Sequence, residues 1–146
     1  MTKRWFGIDF GEARTGVAIS DPLGSFAIPF RTLPGGRQTL APLVAAARQE
    51  GVAGVVLGLP KNMDGTLGPA AEKVQQFAER LRASLPEIEI VLWDERMTTL
   101  EAQKRLHEAG KNTRSSRKII DQVAAQILLQ NYLDSQTLHS ESGSFS

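Results

Sequence analysis

Apolar positions along the chain follow two spacings, one typical of β-strands and one typical of amphipathic helices. Short apolar runs, several of them rich in β-branched residues, predict five strands. These strands are placed at residues 3–10, 14–20, 26–32, 52–57 and 88–93. Apolar stripes with helical spacing predict four helices. The helices are placed at residues 38–50, 69–81, 98–110 and 116–133.

The connectors between the strands indicate how the strands pair. Residues 11–13 and the turn at residues 21–24 are short enough to join antiparallel neighbours, so the first three strands should form a meander. Residues 52–57 look buried on both faces, which is typical of a parallel strand. Pro29 lacks a backbone N–H and indicates an edge position or an irregular path for the third strand. The pattern predicts an α/β fold with a mixed five-stranded sheet flanked by helices.

Composition limits the class of protein without naming a function. A chain of 146 residues fits one domain, expected at residues 1–133, followed by a polar tail at 134–146 that we expect to be disordered. No signal-peptide pattern and no apolar run of membrane-spanning length are present, and cysteine is absent. These features fit a cytoplasmic protein. The net charge of +1 does not by itself indicate a nucleic-acid partner.

Three acidic positions stand out against this scaffold. Asp9 ends the first strand, the pair Asp94 and Glu95 follows the last strand, and Asp121 lies on the final helix. A carboxylate at a buried strand end requires a partner, and carboxylates without His or Cys suit Mg²⁺ or Mn²⁺. This set favours metal-assisted chemistry on phosphate esters. Strand period alone does not choose between Asp94 and Glu95.

Ordinary structural explanations exist for each acid. Asp9 could cap the turn that follows it, and the pair after the last strand could be a solvated helix start. Asp121 could form a surface ion pair with Lys118, three residues earlier.

Basic residues border the acidic positions in the predicted fold. Because ligand clefts of open sheets lie at strand ends, such residues could hold the backbone of a polyanion. The candidates for nucleic-acid binding are Arg14, Lys61, Arg96, Arg114 and Lys118. Each of them taken singly is better explained as an ordinary solubilising surface charge.

Four motifs in this order closely resemble the YqgF/RuvX family of ribonuclease H-like proteins. The matching segments are Gly7-Ile8-Asp9-Phe10-Gly11, Gly58-Leu59-Pro60, Asp94-Glu95-Arg96 with Thr98-Thr99, and Asp121-Gln122-Val123-Ala124-Ala125. The resemblance implies a ribonuclease H-like fold and a metal-dependent nuclease that either processes the 5′ end of pre-16S rRNA or resolves Holliday junctions.

The family pattern also assigns roles to residues. It makes Asp9, Glu95 and Asp121 the catalytic acids and thereby selects Glu95 over Asp94. On this assignment we expect the three acids to bind two Mg²⁺ or Mn²⁺ ions that act on one phosphodiester. The alternative is a regulatory module that binds nucleic acid without cutting it. The predicted partner is a four-way DNA junction or a ribosomal RNA precursor, and a junction substrate would favour a homodimer.

Overall fold

The computed structural model describes residues 3–97 and 114–144. Five strands and three helices make up this part of the chain. The strands are β1 (Trp5–Asp9), β2 (Arg14–Ser20), β3 (Ala27–Pro34), β4 (Gly54–Leu59) and β5 (Glu89–Asp94), and the helices are α1 (Leu40–Glu50), α2 (Pro69–Ser84) and α3 (Arg114–Ser144). Short 3-10 turns occupy Gly36–Gln38 and Glu95–Met97. The helix predicted at 98–110 lies outside the described residues.

The strands form one sheet in the order β3-β2-β1-β4-β5. The pairs β1–β2 and β2–β3 are antiparallel, and the pairs β1–β4 and β4–β5 are parallel. The predicted mixed sheet is therefore confirmed, including the parallel setting of β4. Strand β3 lies at the edge, as Pro29 indicated, and the register between β2 and β3 shifts at Val17 and Ala18 opposite this proline.

Alternation along the strands divides the core between the two faces of the sheet. Helices α1 and α2 cover one face, where Phe6 and Ile8 of β1 pack with Leu57 of β4. Helix α3 covers the other face, where its Leu129 packs with Val56 of β4. Consecutive residues of β1 therefore belong to different layers, and its odd-numbered positions face α3.

Helix α3 approaches β2 closely at Gly16. A side chain at this position would overlap the backbone carbonyl of Asp121. Gly16 pairs with Asp9 in the β1–β2 register, so the close approach brings a turn of α3 over the end of β1. The absence of a side chain at Gly16 thus sets where Asp121 lies relative to Asp9.

Three glutamines spaced four residues apart on α3, here called the glutamine row, hold the edge strand. The row consists of Gln122, Gln126 and Gln130. Gln126 Nε2 donates to the carbonyl of Ala27 at 3.0 Å, and the Ala27 N–H donates to Gln130 Oε1 at 2.8 Å. Gln122 Nε2 donates to Thr32 Oγ1 at 3.0 Å. The row fixes α3 along β3 through hydrogen bonds, in addition to the apolar packing beneath it.

The end of α3 corrects the sequence analysis, which ended this helix at residue 133 and expected a disordered tail. The helix continues to Ser144. Gly143 is its only helix-breaking residue type beyond 133, and Gln130 Nε2 bonds Asp134 Oδ1 at 3.0 Å across one turn. The boundary of the nuclease domain at residue 133 stays a prediction.

Although α3 has 31 residues, neither it nor any other described helix is apolar enough to cross a membrane.

Candidate active site at the carboxyl end of β1

Asp9 is the last residue of β1, at the centre of the sheet. As an odd-numbered residue of this strand it faces α3, on the opposite layer from Phe6 and Ile8. Two other acids contribute negative charge at this carboxyl group, Glu95 from the end of β5 and Asp121 from α3. The fold therefore brings together three acids that span more than one hundred residues of the sequence, from Asp9 to Asp121.

Glu95 reaches this position across β4. It begins the 3-10 turn after β5, and its Oε1 lies about 2.5 Å from where a Cβ on Gly58 would stand. A larger residue at the end of β4 would therefore compete with the Glu95 carboxylate for space. Because Gly58 has no side chain, the Glu95 carboxylate can extend from the end of β5 toward β1. This explains why the first residue of the Gly58-Leu59-Pro60 segment is glycine.

Asp94, the neighbour of Glu95, has basic partners instead. Arg96 donates to it through Nη2 to Oδ2 at 2.8 Å and through its backbone N–H to Oδ1 at 2.9 Å. Lys61 Nζ lies 4.0 Å from Asp94 Oδ2. The hydrogen bonds from Arg96 hold the pKa of Asp94 below its ordinary value. The two adjacent acids thus occupy different environments, and Glu95 is the one that acts on Asp9.

Asp121 is bonded to a cation from a distant part of the chain. Arg14 Nε donates to Asp121 Oδ2 at 2.7 Å, and the Asp121 side chain is only 18 % exposed. The partner of Asp121 is therefore Arg14, in a pair that crosses from β2 to α3, and not Lys118, the structural alternative that the sequence left open. Periodicity gave no signal of this contact, because Arg14 and Asp121 are 107 positions apart.

The protonation of the cluster reflects its crowding. Burial, then the charge of Glu95, then the charge of Asp121 raise the pKa of Asp9 from 3.8 to about 7. Burial and the charge of Asp94 also raise the pKa of Glu95. Carboxylates in such surroundings are stabilised when a cation enters between them, and without one they retain protons.

The donor set fits a divalent cation better than any other common ligand. Three carboxylates without sulfur or imidazole suit Mg²⁺ or Mn²⁺, and the raised pKa of Asp9 indicates negative charge that lacks a compensating partner. Within residues 3–97 and 114–144, no group of three or more His, Cys, Asp or Glu side chains is already gathered at metal-binding spacing. Arg14 instead bonds one oxygen of Asp121, so ion binding would require these side chains to adjust.

The predicted basic residues divide into two groups in the structure. Arg14 contacts Asp121 of the carboxylate cluster, and Lys61 and Arg96 contact Asp94 beside it. Arg96 Nη1 also reaches the carbonyl of Met63 at 3.4 Å, so it fastens the end of β5 to the loop after β4. Lys118 is exposed near the start of α3. Arg114 is the first residue of α3, and its side chain lies outside the described part of the structure.

A buried hydroxyl pair that sequence reasoning missed supports the loop after Asp9. Thr15 Oγ1 accepts the Gly11 N–H at 3.3 Å and lies 3.1 Å from Thr39 Oγ1. Thr39 in turn donates to the Pro34 carbonyl at 2.6 Å. These bonds tie the β1–β2 loop to the start of α1. An isolated threonine in a strand carries no sequence signal of such a role.

Comparison with known proteins agrees with this arrangement. The RuvX family, described as Holliday junction resolvase, matches residues 3–135. A protein of Acetivibrio thermocellus named "Putative pre-16S rRNA nuclease" is 40% identical over 91% of this chain and 96% of its own length. A protein of the same name from Thermoanaerobacter pseudethanolicus is 43% identical over 91% of this chain and 97% of its own length.

A solved structure shares the fold at much lower identity. The chain superposes on RuvC of T. thermophilus in complex with Holliday junction substrate with a TM-score of 0.60. The match covers 92% of this chain and 96% of that chain at 13% identity. This likeness confirms the ribonuclease H-like fold. The family match over residues 3–135 includes the whole sheet and α3 as far as residue 135. The chain belongs to the YqgF/RuvX family of nucleases.

Proposed function

We propose that this chain hydrolyses phosphodiester bonds in structured nucleic acid, using Mg²⁺ or Mn²⁺ held by Asp9, Glu95 and Asp121. The single observation that carries the proposal is the convergence of three carboxylates from β1, β5 and α3 at the end of the central strand. Membership of a nuclease family supports the reaction class. The number of ions, two in our proposal, follows from the expected in-line reaction.

Each acid would have a separate part in holding the ions. The charges of both other acids act on Asp9, so Asp9 would help to hold both ions. Glu95 and Asp121 would each complete the coordination of one ion. When bound, Mg²⁺ or Mn²⁺ would supply positive charge to the attacking and leaving oxygens of an in-line displacement. Arg14 would then be released from Asp121 and could contact the substrate backbone.

Two substrates are supported by the names of related proteins. One is the precursor of 16S ribosomal RNA. We propose that this chain would act at the 5′ end of that precursor, in the cytoplasm. The other is a four-way DNA junction. A junction needs two matched cuts and therefore a symmetric homodimer, whereas trimming of an RNA end needs one protomer. The mass of the protein bound to each substrate would separate the two.

The adjacent acids Asp94 and Glu95 provide a matched test of the site. We expect Glu95→Gln to reduce Mn²⁺-dependent cleavage at least about tenfold, since loss even of an outer-shell partner costs about 10-fold to 100-fold. Asp94→Asn should cleave within a factor of about three of wild type, because Asp94 is bonded to Arg96 and Lys61. Initial rates on a four-way junction and on a 5′-extended ribosomal RNA fragment, with EDTA blanks, measure both variants.

The outcomes of this assay also distinguish the alternative function. Equal loss in both variants would contradict the assignment of Glu95 to the site. Tight binding of either substrate by wild type, with no cleavage in Mn²⁺, would support the regulatory module instead of the nuclease.

Divalent cations should stabilise the folded protein. Because an ion bound only by the native state adds free energy of unfolding, we expect about 2.7 kcal/mol at a concentration about 100 times the Kd. Melting curves in Mg²⁺, Mn²⁺ and matched NaCl measure this effect. Asp94→Asn should keep the shift in melting temperature. Identical curves in all three salts would count against an ion site at these carboxylates.

A further inference from the structure

A cavity of about 310 Å³ opens on the opposite face of the sheet from the three acids. Its walls come from the residue after β1, the β1–β2 loop, the 3-10 turn before α1, and α2. The residues used in the following argument are Phe10, Glu12, Arg37, Lys73, Phe77 and Arg80. The proposed active site uses none of these residues. The volume lies at the lower end of ordinary ligand pockets.

The cavity combines an aromatic wall with a basic rim. Phe10 and Phe77 stack with ring centroids 4.5 Å apart. Phe77 is buried, so Phe10 is the ring of this wall that has surface left for a ligand. Arg37, Lys73 and Arg80 supply three positive charges at the opening. Glu12 is bonded to Lys73 at 2.7 Å, which leaves an excess of positive charge around the cavity. A ligand with a flat apolar body and an anionic group matches both parts.

The cavity and the acids share the end of β1. Asp9 and Phe10 are consecutive, so Asp9 faces α3 while Phe10 packs on the α1 and α2 side. The Gly36 N–H donates to the Gly11 carbonyl at 2.9 Å, which fixes the cavity wall against the loop that follows Asp9. A nucleic-acid strand that crosses this end of the sheet could place one phosphate at Asp9 and the adjoining nucleotide against Phe10.

We propose that this cavity binds one unpaired nucleotide of the substrate strand, next to the phosphate that is cut. The inference rests on the proposed nuclease function and adds a second binding site to it. The base would lie on the aromatic wall, as single-stranded nucleic acids stack on aromatic side chains, and the phosphate would contact the basic rim. A base inside a duplex is paired and stacked, so the cavity selects single-stranded or opened segments.

The test compares two double variants with the same change in charge. Arg37→Gln with Arg80→Gln removes two cations of the rim, one beside α1 and one on α2. Arg48→Gln with Arg82→Gln removes two exposed arginines, one on α1 and one on α2, neither of them lining this cavity. All variants carry Asp9→Asn, so binding is measured without cleavage. Fluorescence anisotropy follows binding of a single-stranded oligonucleotide and of the blunt duplex of the same sequence.

We expect the rim variant to bind the single strand about tenfold more weakly and with a smaller salt dependence, since each lost phosphate contact lowers the salt slope by about 0.7. The control variant should stay within about twofold of its parent, and duplex binding should change equally in both. An oligonucleotide with 5-iodouracil beside the cut site should also cross-link to the peptide containing Phe10 or Phe77 under ultraviolet light.

Both results are required for the proposal. Equal loss in the two double variants, or cross-links confined to peptides outside the cavity, would overturn it. If the protein with Asp9 intact still cuts in Mn²⁺ in that case, only the nucleotide site fails. If that protein neither cuts nor binds any substrate, the proposed nuclease function fails with it.

Discussion

Asp9→Asn should reduce metal-dependent cleavage by more than about 100-fold, beyond the range caused by loss of an outer-shell partner. The reason is the central position of Asp9, whose carboxyl group is affected by the charges of both Glu95 and Asp121. Asparagine keeps the shape of the side chain and removes its charge, so ion binding is lost while the fold is kept. Initial rates at saturating Mn²⁺ measure the change.

The same substitution should stabilise the protein when no divalent ion is present. In the folded chain the pKa of Asp9 is about 7, and its ordinary value is 3.8. Between these values the unfolded chain loses the Asp9 proton while the folded chain keeps it, so the free energy of unfolding of wild type falls as pH rises. Above about pH 7 this loss amounts to a few kcal/mol at most, and asparagine removes it.

Urea unfolding at several pH values, in buffer with EDTA, measures this difference. Wild type and Asp9→Asn should be equally stable below about pH 4, and the variant should be increasingly more stable up to about pH 7. Asp64→Asn is a suitable control, because Asp64 is exposed and its pKa is lowered by its bonds to Thr66. If the free energies of unfolding of Asp9→Asn and wild type differed by the same amount at every pH, the raised pKa of Asp9 in a buried cluster of acids would be contradicted.

Gly16→Ala should be among the most destabilising single substitutions in the sheet. The added methyl group would overlap the carbonyl of Asp121, and these are backbone atoms that cannot turn aside. Overpacking typically costs about 1–3 kcal/mol, and we expect the upper end or more, because relief requires movement of the whole of α3. Such a movement would also carry Asp121 away from Asp9, so cleavage should fall together with stability.

Gly68→Ala is the matched control. A methyl group there meets only the Asn62 side chain at 3.6 Å, and Gly68 lies outside the sheet at the start of α2. Its cost should be limited to weaker capping of α2, about 1 kcal/mol or less. Urea midpoints followed by circular dichroism compare the two variants. If Gly16→Ala unfolded at the same midpoint as Gly68→Ala, the described packing of α3 on β2 would be wrong.

The sequence predicted the strands well because their burial repeats at short range. Strand β2 was placed at its observed bounds, and the parallel setting of β4 followed from its unbroken apolar run. The end of α3 was misplaced because polar residues beyond 133 suggested disorder. Their composition does not forbid a helix, and no proline interrupts it.

The acids of the candidate site were found by motif and family pattern, whereas their partners were not. The pairing of Arg14 with Asp121 and the space that Gly58 leaves for Glu95 depend on segments that are far apart in the chain. The spacing of hydrophobic residues indicates which face of a helix or strand a residue occupies. It does not indicate which distant residue lies opposite that face. The choice of Glu95 over Asp94 therefore needed either a family pattern or coordinates.

The glutamine row also limits how two copies of this protein could associate. Exposed edge strands commonly recruit a strand from another molecule through their free backbone groups. At Ala27 both outward backbone groups are already taken by Gln126 and Gln130, and Pro29 has no N–H to offer. A continuous ten-stranded sheet across two protomers is therefore disfavoured at β3. A two-fold assembly on a junction would have to use the other edge strand, β5, or helical and loop surfaces.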